Sequence, residues 1–223
     1  HAEWKPPLFT WAYSIFYEIL KSAPLPQETI LRLPSAFFCA AGVFMIFLLA
    51  DRLYGRFPAM ASAVLFMTSP LIIFSAPLIM MEAFAVFLML ASIYFYTGKK
   101  PLLGAIALAL LTLTKWLYAG VPVLFVALYF LDRKELPRIL LSFLAIPLAL
   151  GFYLLLAYLF GSLDNAILVL TLDVTRPLPE MDLQNLFLHY LATLMVTFPI
   201  SVMFVVLATL QKISIRKELP LLA

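Results

Sequence analysis

Charged residues divide this chain into a series of apolar runs, and this pattern limits the folds that it can adopt. Hydrophobic residues occupy 65% of the 223 positions and charged residues only 12%, whereas a soluble domain has about 25% charged residues. A single water-soluble core of this size could not bury so much apolar surface. The sequence therefore predicts an all-α fold, a polytopic transmembrane helical bundle with lipid as its solvent.

About seven spans and one interfacial helix are predicted from the apolar runs. The spans lie at residues 33–50, 58–76, 78–97, 102–114, 117–131, 139–160 and 186–210. Residues 8–20 are too few to cross a bilayer, so we expect a helix at the interface, starting after Pro6-Pro7. The loop 161–185 is long enough to pack over the outer mouth of the bundle. We expect residues 1–223 to be a single transmembrane domain, and a fragment, since the chain does not begin with Met.

The basic residues predict the orientation of the bundle. Alternate assignment of the hydrophilic joints puts ten of the fifteen basic residues on one side, which the positive-inside rule makes cytoplasmic. The remaining five are Lys5, Lys21, Arg32, Lys115 and Arg176. We therefore expect the His1 side, Lys115 and the loop 161–185 to face outward from a cell membrane, with membrane lipids as partners. The net charge of +3 is too small to indicate nucleic-acid binding.

Four outward-facing residues are candidates for binding or catalysis, and the first three also have a structural alternative. Lys5 precedes a helix start and is either a phosphate ligand or an interface anchor. Arg32 either snorkels to the interface or binds an anion. Glu82, among apolar neighbours, is a functional carboxylate or a helix cap. Lys115 lies at the tip of a hairpin of two short crossings, inside the bundle, where we expect it to have a partner.

A divalent metal is an open alternative for the N-terminal residues. His1 and Glu3 could supply ligands, joined by His189. The two histidines lack the tight spacing of a metal motif, so structural roles are the other interpretation.

Several of these residues occur in an order that is known from one family. The sequence contains Lys5-Pro6-Pro7-Leu8, Glu28 to Ala36 (Glu-Thr-Ile-Leu-Arg-Leu-Pro-Ser-Ala), Asp51-Arg52-Leu53-Tyr54-Gly55, Thr68-Ser69-Pro70, Glu82 and Leu113-Thr114-Lys115. This set, over roughly residues 1–120, resembles the GT-C class of integral-membrane glycosyltransferases. Within that class it is most similar to the protein O-mannosyltransferase-like and lipid A aminoarabinose transferase-like group. Residues 121–223 match only in hydropathy.

The resemblance implies a transferase that moves a hexose or pentose from a polyprenyl-phosphate-linked donor lipid to a protein, lipid or glycan acceptor on the extracytoplasmic side. The family's essential carboxylate lies in a first outer loop, which would precede His1. By the same resemblance, Lys5 and Lys115 contact the carrier phosphate, and Arg32 orders the outer mouth. Glu3 would hold substrate or metal. Glu82 is the catalytic candidate in this chain, at a position where relatives often have Asp.

Two other function classes remain open. A secondary transporter would be expected to show inverted repeats and polar residues at mid-membrane. Spans 33–50, 139–160 and 186–210 carry no charge at that depth, and no repeat is evident. A non-catalytic membrane scaffold is the second alternative, because the family's catalytic loop would lie before His1.

Overall fold

The structure, a computed structural model, describes residues 7–69, 72–73, 76–98, 100–131, 135–162 and 167. These residues form seven α-helices and one 3-10 turn, and they contain no strand. The helices are α1 Pro7–Leu20, α2 Gln27–Tyr54, α3 Arg56–Met67, α4 Met81–Thr97, α5 Pro101–Lys115, α6 Gly120–Leu131 and α7 Leu136–Leu159, and the 3-10 turn Trp116–Ala119 separates α5 from α6. The prediction of an all-α fold is confirmed for this part of the chain.

The described helices belong to two compact units. The first unit contains α1, the beginning of α2 up to Gly42, and α4 to α7. The second contains the remainder of α2, from Val43, and α3. Within the second unit a single residue, Gly55, separates the two helices with φ of 88°. This left-handed conformation favours glycine and allows the chain to leave one helix and enter the next directly.

Two of the described helices are long and apolar enough to cross a membrane. They are α2, with 28 residues and a mean hydropathy of 2.2, and α7, with 24 residues and a mean hydropathy of 2.5. The apolar helices α3, α4, α5 and α6 are shorter than 18 residues. Length and composition therefore support two spans among the described residues, and the count of seven stays a prediction.

Helix α7 has an exposed face with large apolar side chains and a buried face with small residues. Seven of its large apolar side chains are more than half exposed: Leu140, Phe143, Leu144, Leu148, Phe152, Leu155 and Leu159. Its buried residues are small: Ser142, Ala145, Ala149 and Ala157. Water would oppose exposure of so much apolar surface, at about 25 cal/mol per Å². In a membrane, by contrast, small residues on the inner face let neighbouring helices approach closely.

Helices α4 and α5 form an antiparallel hairpin, because only a short joint at Gly98 to Lys100 connects them. The Ser92 hydroxyl donates a hydrogen bond to the carbonyl oxygen of Gly104 at 3.1 Å. A Cβ atom added to Gly104 would lie 2.8 Å from Cδ2 of Tyr96. The absence of a side chain at Gly104 therefore permits this close packing. The hairpin brings the first turn of α4 and the last turn of α5 to the same end.

Helix boundaries differ from the predicted spans most in two places. Helix α2 begins at Gln27 rather than at residue 33, so Arg32 lies inside the helix. The predicted span 58–76 is not one continuous helix, because α3 ends at Met67 and Thr68 is its C-cap. Pro70 follows closely, and proline disfavours a helical conformation in the residue before it. The predicted span 186–210 and nearly all of the loop 161–185 lie outside the described residues.

Candidate functional site

Lys115 and Glu82 form an ion pair at the open end of the α4–α5 hairpin. Lys115 Nζ donates to Glu82 Oε1 at 2.8 Å, and each of the two side chains is 27% exposed. The ring centroid of Tyr118 lies 4.6 Å from the same Nζ. The Lys115 ammonium thus contacts both a carboxylate and an aromatic face. Lys115 therefore has the partner that we expected for a lysine inside the bundle.

The helix ends stabilise both charges of this pair. Glu82 lies in the first turn of α4, where backbone N–H groups are unpaired and the helix dipole is positive. Lys115 is the last residue of α5, at the negative end of that helix. The backbone of Lys115 leaves the helix with φ of −158° and ψ of 88°. The 3-10 turn that follows carries Tyr118 to the ammonium.

Two hydroxyl groups, those of Tyr13 and Ser35, fix the backbone just before Glu82. The N–H of Met80, the N-cap residue of α4, donates to Ser35 Oγ at 3.2 Å. The Tyr13 hydroxyl donates to the carbonyl oxygen of Met80 at 3.3 Å, and the hydroxyls of Tyr13 and Ser35 are hydrogen-bonded to each other. Burial raises the pKa of Tyr13, so its phenol keeps the proton that it donates. Helices α1, α2 and α4 are therefore joined two residues before the site carboxylate.

Arg32 has a partner within its own helix. Its guanidinium pairs with Glu28, four residues earlier in α2, and the two side chains are 46% and 74% exposed. An exposed pair of this kind stabilises a helix by less than about 1 kcal/mol. Arg32 lies one helical turn before Ser35, so the two residues share one side of α2. The role of Arg32 at the outer mouth stays a prediction.

Lys5, Glu3 and His1 lie outside the described residues. Their predicted contacts with carrier phosphate, substrate or metal stay predictions. Among the residues that the structure describes, no group of three or more His, Cys, Asp or Glu side chains could hold a metal ion. Glu82 is bonded to an ammonium and offers a divalent cation one carboxylate. The described residues alone therefore do not form a metal site, and the divalent metal stays a prediction for the N-terminal residues.

A small apolar crevice lies between α1, α5 and α7. It has a volume of about 20 Å³ and is lined by Leu8, Trp11, Leu113, Phe152, Tyr153 and Leu156. Leu113 and Lys115 are two residues apart, and such residues point about 200° apart around a helix. The crevice therefore opens on the other side of α5 from the ion pair, and we do not assign it to the site.

Sequence reasoning placed Glu82 and Lys115 on the same face but did not pair them. A signal for the pairing exists in the sequence. Glu82 precedes the Gly98 to Lys100 joint by nearly the same number of residues as Lys115 follows it. In an antiparallel hairpin, residues at equal distances from the joint lie at the same level. Tyr13 and Tyr118 were not singled out, and Ser35 was noted only within Glu28 to Ala36.

Comparison with known proteins gives no family assignment. No family model matches the chain, and no match is found among the curated proteins or the solved structures. The resemblance to the GT-C class therefore stays a prediction that rests on the residues quoted above.

Proposed function

We propose that this protein is a membrane glycosyltransferase that uses a polyprenyl-phosphate-linked sugar as its donor and acts at the extracytoplasmic face. The ion pair of Lys115 and Glu82 carries this proposal. Transfer of this kind needs a cation for the departing phosphate and a carboxylate that takes a proton from the acceptor. The pair supplies both groups within one contact. The order of the quoted sequence motifs, which resembles that of the GT-C class, supports the same interpretation.

The chemistry begins when the donor phosphate displaces the carboxylate from the ammonium. Lys115 then stabilises the negative charge that develops on the polyprenyl phosphate as the bond from the anomeric carbon to the phosphate oxygen breaks. The acceptor hydroxyl or amine forms the new bond to that carbon and gives up its proton. Glu82, released from Lys115, is the carboxylate in the described residues that can accept it.

We place this pair on the outer side of a multi-pass bundle with about seven spans in the cell membrane. Lys100 lies at the closed end of the α4–α5 hairpin, and Lys99 neighbours it in the sequence. The positive-inside rule puts this end in the cytoplasm and the ion pair at the opposite end. At 1.5 Å per residue, the 15 residues of α5 span about 22 Å, which is shorter than a hydrocarbon core of ~30 Å. The pair would therefore lie at or below the outer headgroups.

The test is release of polyprenyl phosphate by the protein, expressed from its complete reading frame and reconstituted in lipid nanodiscs. Polyprenyl-phosphate hexoses and pentoses serve as donors, with protein, lipid and glycan acceptors present. We expect release by the wild type, and a loss of about a hundredfold in Lys115→Met, as when one donor to transition-state charge is removed. Lys21→Met is the matched control, because Lys21 is also paired with a glutamate, Glu18, but is 54% exposed.

Each possible result of this assay bears on the proposal. Release by Lys115→Met at the wild-type rate would show that the ion pair takes no part in the reaction. Absence of release from every donor would overturn the proposal of a transferase. Transbilayer movement of the intact donor without release would indicate a transporter instead.

A further inference from the structure

We propose that Tyr13 and Ser35 are positioning residues that hold Glu82 against Lys115 by fixing the first turn of α4. Tyr13 and Ser35 are hydrogen-bonded to the backbone of Met80 and not to the ion pair, so each would act through that backbone. The catalytic consequence of this inference rests on the proposed function, whereas the effect on the ion pair does not.

The hydrogen bonds among these residues form a closed ring. The Met80 N–H donates to Ser35 Oγ at 3.2 Å, and the Tyr13 hydroxyl donates to the Met80 carbonyl at 3.3 Å. The third hydrogen bond joins the two hydroxyls, and either could donate. We take the direction in which the Ser35 hydroxyl donates to the Tyr13 oxygen. In this direction every donor has one acceptor, and each hydroxyl both donates and accepts. The ring is therefore complete without any charged group.

The ring supplies a restraint that the end of α4 lacks. Met80 is the N-cap residue, with φ of −121° and ψ of 134°, and its side chain makes no capping hydrogen bond. A helix start without a cap frays easily, because its first N–H groups have no partner. Here the backbone of the N-cap residue is bonded on both sides instead. Glu82 is the second residue of the helix, so its position follows that of Met80.

The two side chains of the ring, Tyr13 and Ser35, are buried and belong to two helices other than α4. Ser35 is fully buried in α2, and Tyr13 is 8% exposed in α1. The Tyr13 ring also packs on Phe9, with centroids 4.2 Å apart. The partner of Glu82 is on α5, a fourth helix. Helices α1 and α2 thus hold the start of α4 from one side, and Lys115 holds its carboxylate from the other.

The experiment measures how freely Lys115 reacts, because an ammonium held by a carboxylate is acylated slowly. The protein in nanodiscs is treated with an amine-acylating reagent, and labelling at Lys115 is quantified by peptide mass spectrometry relative to the exposed Lys100. Glu82→Gln defines the labelling of the unpaired lysine. Tyr13→Phe and Ser35→Ala each remove hydroxyl hydrogen bonds of the ring and leave both ion-pair residues in place.

We expect both ring variants to raise Lys115 labelling about fivefold, because each removes one hydrogen bond to the Met80 backbone and loss of one such bond shifts an equilibrium by about this factor. Two matched controls carry the same substitutions elsewhere. Tyr17→Phe alters the tyrosine one turn further along α1. Ser142→Ala removes a buried hydroxyl that donates only within its own helix, to the Ile139 carbonyl at 2.7 Å. Both controls should leave Lys115 labelling at the wild-type level.

The outcomes separate this inference from the proposed function. Wild-type labelling of Lys115 in Tyr13→Phe and Ser35→Ala, with a raised value in Glu82→Gln, would overturn the positioning role. An equal rise in the Tyr17→Phe and Ser142→Ala controls would also overturn it, since the effect would then be general loosening. If the labelling pattern holds but the wild type releases no polyprenyl phosphate, the transferase proposal fails and the positioning role stands. In an active enzyme, Tyr13→Phe should lower kcat by a similar factor with little change in the KM for donor.

Discussion

Breaking the Lys115–Glu82 pair from either side should destabilise the protein, and the two changes should be strongly coupled. The perturbations are Glu82→Gln, Lys115→Met and the double variant. Each single change leaves one charge in a site where only 27% of the side chain is exposed. The double variant removes both charges and should therefore cost less than the sum of the two single changes.

The size of the coupling follows from the distance and the burial. At 2.8 Å, two unit charges attract by about 6 kcal/mol when the effective dielectric constant is ~20. Desolvation of both ions offsets most of this attraction. Exposed pairs retain less than about 1 kcal/mol, and loss of one partner from a fully buried pair costs about 3–5 kcal/mol. For this half-buried pair we expect a coupling of about 2 kcal/mol, between those limits.

The two single variants should not cost the same. In Glu82→Gln the amide oxygen can still accept a hydrogen bond, and the ammonium keeps its contact with the Tyr118 ring, which contributes about 0.5–2 kcal/mol. In Lys115→Met the carboxylate loses its only hydrogen-bonded partner among the described residues. We therefore expect Lys115→Met to be the more destabilising change.

The assay is denaturant unfolding of the four proteins, with free energies taken by linear extrapolation. The pair of Glu18 and Lys21 provides a matched cycle, because these side chains are 61% and 54% exposed and lie three residues apart on one surface. We expect no measurable coupling for that pair, because water screens both of its charges. Additive effects of Glu82→Gln and Lys115→Met, to within about 0.3 kcal/mol, would refute the reasoning, since the charges would then not interact.

Two further predictions concern packing and orientation. Gly104→Ala should destabilise the α4–α5 hairpin by about 1–3 kcal/mol through overpacking against Tyr96, even though alanine favours a helix by about 1 kcal/mol over glycine; the same unfolding assay checks this result. Gly151→Ala in α7 is the control, because a Cβ there meets nothing within 4 Å, and a loss of stability equal to that of Gly104→Ala would contradict the packing argument. In a Cys39→Ala background, Lys21→Cys should be labelled by an impermeant maleimide added outside intact cells, whereas Lys100→Cys should be labelled only after permeabilisation. The opposite pattern would reverse the proposed orientation.

The apolar runs predict where helices lie, and the charges between them indicate which ends share a side of the membrane. The closed ring of Tyr13, Ser35 and Met80 could not be read from the sequence, because its members lie on three helices and meet only through tertiary packing. Helix boundaries were also difficult to predict from the sequence. Arg32 looked like a residue outside a span, since the polar turn from Gln27 to Arg32 does not continue the apolar pattern, yet it is helical and paired with Glu28.

Some features missed from the sequence did have a local physical cause. Pro70 predicts that α3 ends before residue 76, because a helical conformation is disfavoured in the residue before a proline. The register of a hairpin with so short a joint places Glu82 opposite Lys115. Both inferences need only chain geometry. The close packing of Gly104 against Tyr96 could not be inferred in this way, because it depends on how closely two particular helices approach.

The most direct test of the proposed function supplies the donor to one face of the membrane only. Sealed vesicles of known orientation, carrying the protein expressed from its complete reading frame, receive a polyprenyl-phosphate sugar and an acceptor on one side, and the released polyprenyl phosphate is measured there. We expect release when the substrates meet the face that bears Lys115 and Glu82, and none when they meet only the face that bears Lys100. Release confined to the Lys100 face, or no release on either face, would contradict a transferase built on the outward-facing ion pair.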